Sequence, residues 1–190
     1  MTALPKDWPH LLPETWTLAD VEALPEGSRV EIIDGALIVN PSPTPLHQRI
    51  IFQLAVELEA ALPDGWRHAF GVDVLLAEEP LAYVTPDIVV FDGSLPLSTL
   101  PIPREAVLLV VEVVSKGSRS HDRGSKPLVY AEAGIAHYWR VESRQSGALT
   151  TTVHTFVLDD GRYVRTGEYS DRLTLTEPFP VDFKVAGLTD

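Results

Sequence analysis

The chain has 190 residues, 45% of them hydrophobic, and a formal net charge of −12 at pH 7. Such a length and apolar content exclude a disordered chain and fit one domain, which we assign to residues 1–190. The negative charge argues against broad adhesion to nucleic acid or anionic membranes, but it allows a local basic site. Cysteine is missing, so thiolate metal sites and cysteine nucleophiles are excluded. We expect a cytoplasmic protein without a signal peptide or membrane segment.

The N-terminal part predicts a short helix, a hairpin and a long helix. Thr17 is a plausible N-cap, since leucine and valine follow it at helical spacing. Asp34-Gly35 lies between two apolar arms, which is typical of a hairpin turn. Thr44-Pro45 combines an N-cap with proline at the first helical position. The apolar stripe behind it ends before Pro63-Asp64-Gly65.

The rest of the chain predicts mainly strands. Strands are expected at 66–76, 85–91, 106–114 and 137–141, and hairpins around 159–161. A second helix is expected over roughly 122–133 and ends at Gly134; either Asp122 or Ser125 could cap it. This order predicts an α/β fold in which helices cover a mixed sheet, with an N-terminal hairpin and C-terminal hairpins added.

Glu112 interrupts the apolar segment LLVVEVV at 108–114. An unpaired carboxylate inside a buried strand costs several kcal/mol unless it is protonated, paired or metal-bound. One interpretation is structural: Glu112 lies near a strand end and pairs with lysine or arginine. The other interpretation is that it serves a functional site.

A second carboxylate, Asp87, opens another aliphatic strand in TPDIVVF. If the two strands are neighbours, Asp87 and Glu112 approach each other and repel unless a cation or proton lies between them. Mg²⁺ suits such a place, because it needs only one or two carboxylates and completes its shell with water and phosphate.

The segment DRGSKPLVY supplies Asp122, Lys126 and Tyr130 at a spacing of four. They share one helix face if the helix begins at Asp122, and Lys126 could then reach the metal site. The competing interpretation is an Asp122–Lys126 surface pair. The preceding loop contains Lys116, Arg119 and His121, so it is either a basic phosphate-binding patch or a solvated loop.

Five motifs in order resemble the Uma-two-type family of restriction-endonuclease-like proteins in the PD-(D/E)XK nuclease superfamily. They are RVEIIDGALIV, NPSPTPLHQRI, TPDIVVF, LLVVEVVS and DRGSKPLVYAEAGIAHYWRV, which give a core of about residues 29–142.

The resemblance implies that Asp87 and Glu112 bind Mg²⁺ or Mn²⁺. The superfamily usually has lysine two residues after this glutamate, but Val114 stands there, and Lys126 takes the place of the family's helix lysine. Glu31 matches an additional acid and His47 a ligand or proton carrier, although a surface glutamate and a partly buried histidine are the plain alternatives. Asp73 is a weaker candidate.

Two functions are consistent with these residues. The first is a metal-dependent endonuclease that hydrolyses phosphodiester bonds, with DNA favoured over RNA. The second is a catalytically degenerate binding or oligomeric module with the nuclease fold, favoured by Val114 and the charge of −12. The apolar C-terminal strands and expected surface aromatic residues suggest a homodimer.

Overall fold

The fold was obtained as a computed structural model that describes residues 13–25, 27–40, 42–115, 121–146 and 148–189. The α-helices are Leu18–Glu22 (α1), Pro45–Ala61 (α2) and Lys126–Glu132 (α3). The first strands are Val30–Ile33 (β1), Ala36–Val39 (β2), Trp66–Phe70 (β3), Val74–Glu78 (β4), Leu81–Val84 (β5), Ile88–Asp92 (β6) and Ile102–Pro103 (β7). The others are Val107–Val114 (β8), His137–Ser146 (β9), Ala148–Asp159 (β10), Arg162–Tyr169 (β11), Arg172–Leu175 (β12) and Val181–Lys184 (β13).

The strands of the described residues form two larger sheets and one hairpin. The central sheet has the order β11-β10-β9-β8-β6-β3, and only its β8–β9 pair is parallel. The N-terminal sheet has the order β2-β1-β5-β4-β7, in which β4 and β7 run parallel. Strands β12 and β13 form the C-terminal hairpin. The expected mixed α/β fold with added hairpins is therefore confirmed.

Alternation along β8 explains how this strand is buried on both faces. Leu109, Val111 and Val113 pack in one core with α2 and the C-terminal hairpin. Val110 points the other way, into a second core with the N-terminal sheet and α3. Because side chains alternate between the faces of a strand, Glu112 lies on the side of Val110. The carboxylate therefore faces α3 and the N-terminal sheet.

Several local predictions are confirmed. Thr17 caps α1, and Thr44 caps α2 with proline in its first turn. Asp34 and Gly35 both have positive φ, at 52° and 73°, in the turn of the β1–β2 hairpin. This is the geometry of a two-residue turn that suits the twist of the paired strands. None of the helices in the described part of the chain is long and apolar enough to cross a membrane.

One prediction about element boundaries is wrong, and another is confirmed only in part. The strand expected over 66–76 is two strands, β3 and β4, which belong to different sheets. Gly71 has a φ of +62° between them, a conformation that glycine adopts readily and that turns the chain out of the central sheet. Of the two caps proposed for the second helix, Asp122 lies within a π-helical turn over His121–Ser125. Ser125 occupies the N-cap position of α3, but its side chain makes no capping hydrogen bond.

Candidate active site

A cavity of about 500 Å³ opens where the N-terminal end of α2, strands β6 and β8, and the start of α3 meet. Most of the residues that line it have polar or charged side chains. The acidic and basic side chains at its wall include Asp73, Asp87, Glu112, Asp122, His47 and Lys126. The sequence-predicted residues thus converge on one place, and Glu31 reaches them from β1 through Lys126.

Asp87 and Glu112 are brought together by the pairing of β6 with β8. The register places Ile88 opposite Val111, so the next residues outward, Asp87 and Glu112, also lie across from each other. The backbone N–H of Val113 donates to Asp87 Oδ2 at 2.7 Å, which fixes this carboxylate against β8. The expected approach of the two carboxylates is confirmed.

Glu112 is almost completely buried, with 1% of its surface exposed. Lys126 Nζ and Tyr130 Oη both donate to its Oε1 atom, at 3.0 and 2.5 Å. Burial raises the pKa of Glu112 well above its ordinary value; the charge of Lys126 opposes this, and Asp87, Asp122 and Glu31 add to it. Glu112 does pair with a lysine, as the structural interpretation required, but it does so within the strand, in a group of acids.

Lys126 is the cation at the centre of this group. Its Nζ atom lies 2.9 Å from Glu31 Oε1, 3.0 Å from Glu112 Oε1 and 4.0 Å from Asp122 Oδ1. Burial disfavours the charged amine, but the surrounding carboxylates outweigh it and raise the pKa of Lys126. The predicted shared face of Asp122, Lys126 and Tyr130 is confirmed. The alternative of an exposed Asp122–Lys126 pair is wrong, since Lys126 is only 4% exposed.

Glu31 lies in β1 of the N-terminal sheet and is fully buried, so the alternative of a surface glutamate is wrong. Its Oε1 atom accepts a hydrogen bond from the Thr85 backbone N–H at 2.8 Å. Its Oε2 atom has no hydrogen-bond partner among the described residues. The Thr85 hydroxyl donates to Asp73 Oδ1 at 2.7 Å, so Thr85 links both acids to the cavity.

His47 occupies the first turn of α2, where its backbone N–H donates to the capping Thr44 hydroxyl. Its Nε2 atom lies 3.1 Å from Asp87 Oδ1. Burial disfavours the imidazolium, but the hydrogen bond and charge of Asp87 outweigh it and raise the pKa of His47. The plain alternative for His47, a partly buried and satisfied residue, is correct only in part: the side chain is partly buried and Nε2 contacts Asp87, but the buried Nδ1 atom has no hydrogen-bond partner among the described residues.

This raised pKa predicts how stability depends on pH. We expect His47 to stabilise the wild type over His47→Gln fully below the ordinary histidine pKa of about 6.5. The difference should shrink as pH rises through the higher folded-state pKa. Urea unfolding at pH 5.5 and 8.5 measures the difference in the free energy of unfolding between the wild type and His47→Gln.

His68 provides the control, because burial lowers its pKa despite the nearby charge of Glu59. A histidine with a lowered pKa favours the folded state above its unfolded pKa, so His68→Gln should show the opposite trend. A difference at His47 that grows with pH would contradict the assigned contact.

Sequence reasoning missed the part played by two hydroxyl groups. Tyr130 was recognised only as a member of the helix face, yet it donates to Glu112. Tyr138, at the start of β9, donates to the Asp122 carbonyl at 2.8 Å. The i, i+4, i+8 spacing that indicated Lys126 also includes Tyr130, so the sequence did contain a pattern that places Tyr130 at the site. Of the basic loop, Lys116 and Arg119 lie outside the described residues, and so does the side chain of His121.

The carboxylates at the cavity provide the oxygen donors that a divalent cation prefers. In the described part of the chain, no group of three or more histidine, aspartate or glutamate residues is arranged to hold a metal ion. A largely hydrated Mg²⁺ needs fewer protein ligands, and two opposed carboxylates at a polar cavity meet that requirement. Glu31, Glu112 and Asp122 surround Lys126, and Asp87 lies close enough to Glu112 to raise its pKa, so the site has more acidic than basic groups. The residues present therefore fit a hydrated divalent cation.

Comparisons with known proteins agree with this fold. A crystal structure of a putative nuclease of family DUF820 from Anabaena variabilis ATCC 29413 is similar, with a TM-score of 0.67 and 16% sequence identity. The match covers 92% of this chain and 97% of that one, and at this identity it shows the fold alone. A search of curated proteins finds no match. The model of the Uma2 family, described as "putative restriction endonuclease", matches residues 18–188, and the chain therefore belongs to that family.

Proposed function

We propose that the protein is a divalent-metal-dependent nuclease that hydrolyses phosphodiester bonds in nucleic acid. The observation that carries this proposal is the convergence of Asp87 and Glu112 from paired strands with Lys126 bound to Glu112. Family membership supports a nuclease. Metal dependence and the choice of substrate are part of the proposal.

Asp87 and Glu112 are the residues that would hold Mg²⁺ or Mn²⁺. Such a cation supplies Lewis acidity and lowers the pKa of water at the phosphate. A cation is also favoured electrostatically, because it reduces the mutual repulsion of the buried acids. The raised pKa of Glu112 fits this view, since this carboxylate competes for a proton or a cation.

The remaining side chains position and charge-balance these two acids. Lys126 contributes a fixed positive charge and holds Glu112 through Oε1. His47 orients Asp87 and can carry a proton at the cavity wall, because the carboxylate of Asp87 raises the pKa of His47. We propose that Lys126 replaces the lysine that Val114 does not provide, from helix α3 instead of strand β8.

A non-cleaving module is the second candidate. It is favoured by the partners that Asp87 already has: Oδ1 is bound by His47 and Oδ2 by the Val113 N–H. A carboxylate held in this way can be structural. The two candidates differ in metal-dependent hydrolysis, which only the first requires.

The test of the proposed function uses circular substrates, so that only internal cleavage produces a linear product. Circular single-stranded DNA, supercoiled plasmid and circular RNA are incubated with Mg²⁺, Mn²⁺ or EDTA and separated on gels. We expect cleavage with a metal and none with EDTA. No product under any condition would favour the second candidate. Equal product with a metal and with EDTA would contradict the proposed metal dependence. The same assay decides between DNA, which we propose as the substrate, and RNA.

A metal-binding prediction separates ligand loss from catalysis. Glu112→Gln keeps an acceptor for Lys126 and Tyr130 but removes the negative charge. We expect its Mn²⁺ affinity, measured by calorimetry, to fall at least roughly tenfold, in line with loss of a charged ligand.

Glu168→Gln is the control, because Glu168 is exposed on β11, and its affinity should match the wild type. Unchanged binding in Glu112→Gln would remove Glu112 from the proposed metal site.

We also propose a homodimer, as the apolar strands suggested. Light scattering at micromolar concentration measures it, and a monomer there would contradict it.

A further inference from the structure

A second cavity, of about 740 Å³, lies beside the candidate active site. The two cavities share Thr44, His47 and Ser115 in their walls, so they adjoin along the start of α2 and the end of β8. The second cavity extends from there towards the end of β9 and the beginning of β10. Neither of the proposed metal-binding acids, Asp87 or Glu112, lines it.

Three arginines surround one buried carboxylate at this cavity. Arg123 donates through Nε to Glu142 Oε1 at 3.0 Å and through its terminal nitrogen to Oε2. Arg140 Nε lies 2.9 Å from the same Oε1 atom, and Arg144 is 3.8 Å from Oε2. Glu142 is buried and contributes one negative charge. Against the three guanidinium groups, this leaves the cluster with an excess of two positive charges. Arg123 and Arg144 line the cavity.

These arginines are available to a ligand to different degrees. The Arg144 side chain is 76% exposed and only loosely linked to Glu142. The Arg123 side chain is 36% exposed and held in a fork on the carboxylate. A guanidinium held in this way retains N–H groups for a second anion, and planar guanidinium groups match phosphate geometry well. A local excess of positive charge in a chain with net charge −12 favours an anionic ligand at this place.

Part of the wall of the second cavity is aliphatic. Leu46, in the first turn of α2, and Leu149, in β10, are each 37% exposed there. A duplex keeps the faces of its bases stacked inside and would present only phosphate and groove edges to these leucines. An unpaired strand exposes its base faces and sugars, which can pack on apolar side chains.

We infer that the second cavity holds the segment of a single nucleic acid strand next to the bond cleaved at the candidate active site. The phosphates of this segment lie against Arg123 and Arg144, and its unpaired bases or sugars pack on Leu46 and Leu149. This inference rests on the proposed nuclease function, because it assigns the adjoining cavity to the same substrate. It names an unpaired strand as the preferred substrate.

The test measures binding without cleavage. Fluorescence anisotropy follows a labelled 12-nucleotide single-stranded DNA in EDTA, at several salt concentrations, with wild type and Arg144→Ala. We expect the variant to bind about tenfold more weakly at low salt, the effect of losing one charge-assisted contact. Its plot of log affinity against log salt should become less steep by about 0.7, which corresponds to one phosphate contact on a single strand.

Arg165→Ala is the matched control. Arg165 is also exposed, also lies near a glutamate, Glu168, and belongs to the same sheet, but it does not line the cavity. Its affinity and salt slope should equal those of the wild type. A 12-base-pair duplex of the same sequence should compete less well than the single strand. Equal losses in both variants, an unchanged Arg144→Ala, or a duplex that competes equally would overturn the inference.

Failure of this inference and failure of the proposed function are distinguishable. If the wild type cleaves circular substrates and Arg144→Ala binds the single strand normally, the proposed function is supported and the single-strand site is contradicted. If the wild type cleaves nothing but its binding of the single strand depends on Arg144, the proposed nuclease function is contradicted and only the binding surface is supported.

Discussion

Lys126→Met is expected to lower the free energy of unfolding by about 3–5 kcal/mol at pH 7, the range for removing one partner from a buried ion pair. Lys126 is the cation shared by Glu31 and Glu112, with Asp122 nearby. Methionine fills a similar volume, so the decrease in the free energy of unfolding should come mainly from the carboxylates that are left without a cation. Urea unfolding, monitored by circular dichroism, measures it.

The pH dependence of this loss has a definite sign. The raised pKa of Lys126 means that its contribution is fully present at pH 7 and is lost only as pH rises through that higher value. In the variant the acids lack their cation, so protonation of the folded state relieves their repulsion. The difference between wild type and variant should therefore narrow as pH falls from 7 towards 5.

Two further variants make the result specific. Lys184→Met changes an exposed lysine in β13 and should stay within about 0.5 kcal/mol of the wild type. Adding Glu31→Gln to Lys126→Met removes one uncompensated charge and should recover part of the loss, whereas independent sites would only add their effects. A loss in Lys126→Met no larger than in Lys184→Met would contradict the central role of this lysine.

Asp87→Asn is expected to reduce the rate of nucleic acid cleavage by on the order of 10³-fold, or about 4 kcal/mol of transition-state stabilisation. Asparagine retains an acceptor for one of the two Asp87 partners, His47 or the Val113 N–H, so the fold should be kept. What it loses is the negative charge towards a divalent cation. Single-turnover cleavage with Mg²⁺ and with Mn²⁺ is the measurement.

Asp73→Asn is the matched control for this activity loss. Asp73 lines the same cavity and accepts from the Thr85 hydroxyl, and its replacement removes the same charge. We expect a loss of less than tenfold. Equal losses in the two variants would mean that the cavity acts through its overall charge and that Asp87 is not a particular ligand.

Local chemistry was sufficient to predict the elements that surround the site. The Asp34-Gly35 turn, the Thr44 cap and the aliphatic β6 and β8 are each determined by a few neighbouring residues. The opposition of Asp87 and Glu112 followed because Asp87 directly precedes β6, Glu112 lies in β8, and these two strands pair directly and antiparallel. The helical spacing placed Lys126 and Tyr130 on one face, and that face is the one that meets Glu112.

What could not be predicted depends on contacts between distant segments. No local pattern indicates that the chain leaves one sheet at Gly71 and enters another, since both halves of 66–76 resemble strands. The bond from Lys126 to Glu31 spans 95 positions of sequence and depends on how two sheets pack. The arginines around Glu142 were missed for the same reason, because Arg123 comes from the turn before α3 and the others from β9.

The Lys126 ammonium joins two sheets that are separate in their hydrogen bonding. Glu31 belongs to the N-terminal sheet and Glu112 to the central sheet, and one nitrogen atom lies within 3.0 Å of an oxygen of each. Glu31 and Glu112 thus belong to two different sheets, and a small displacement of one sheet relative to the other changes the distance between their charges. Substitutions deep in the N-terminal sheet, far from any substrate, should therefore tune this spacing. Mutational scans for altered metal preference would find their variants there as well as at the cavity wall.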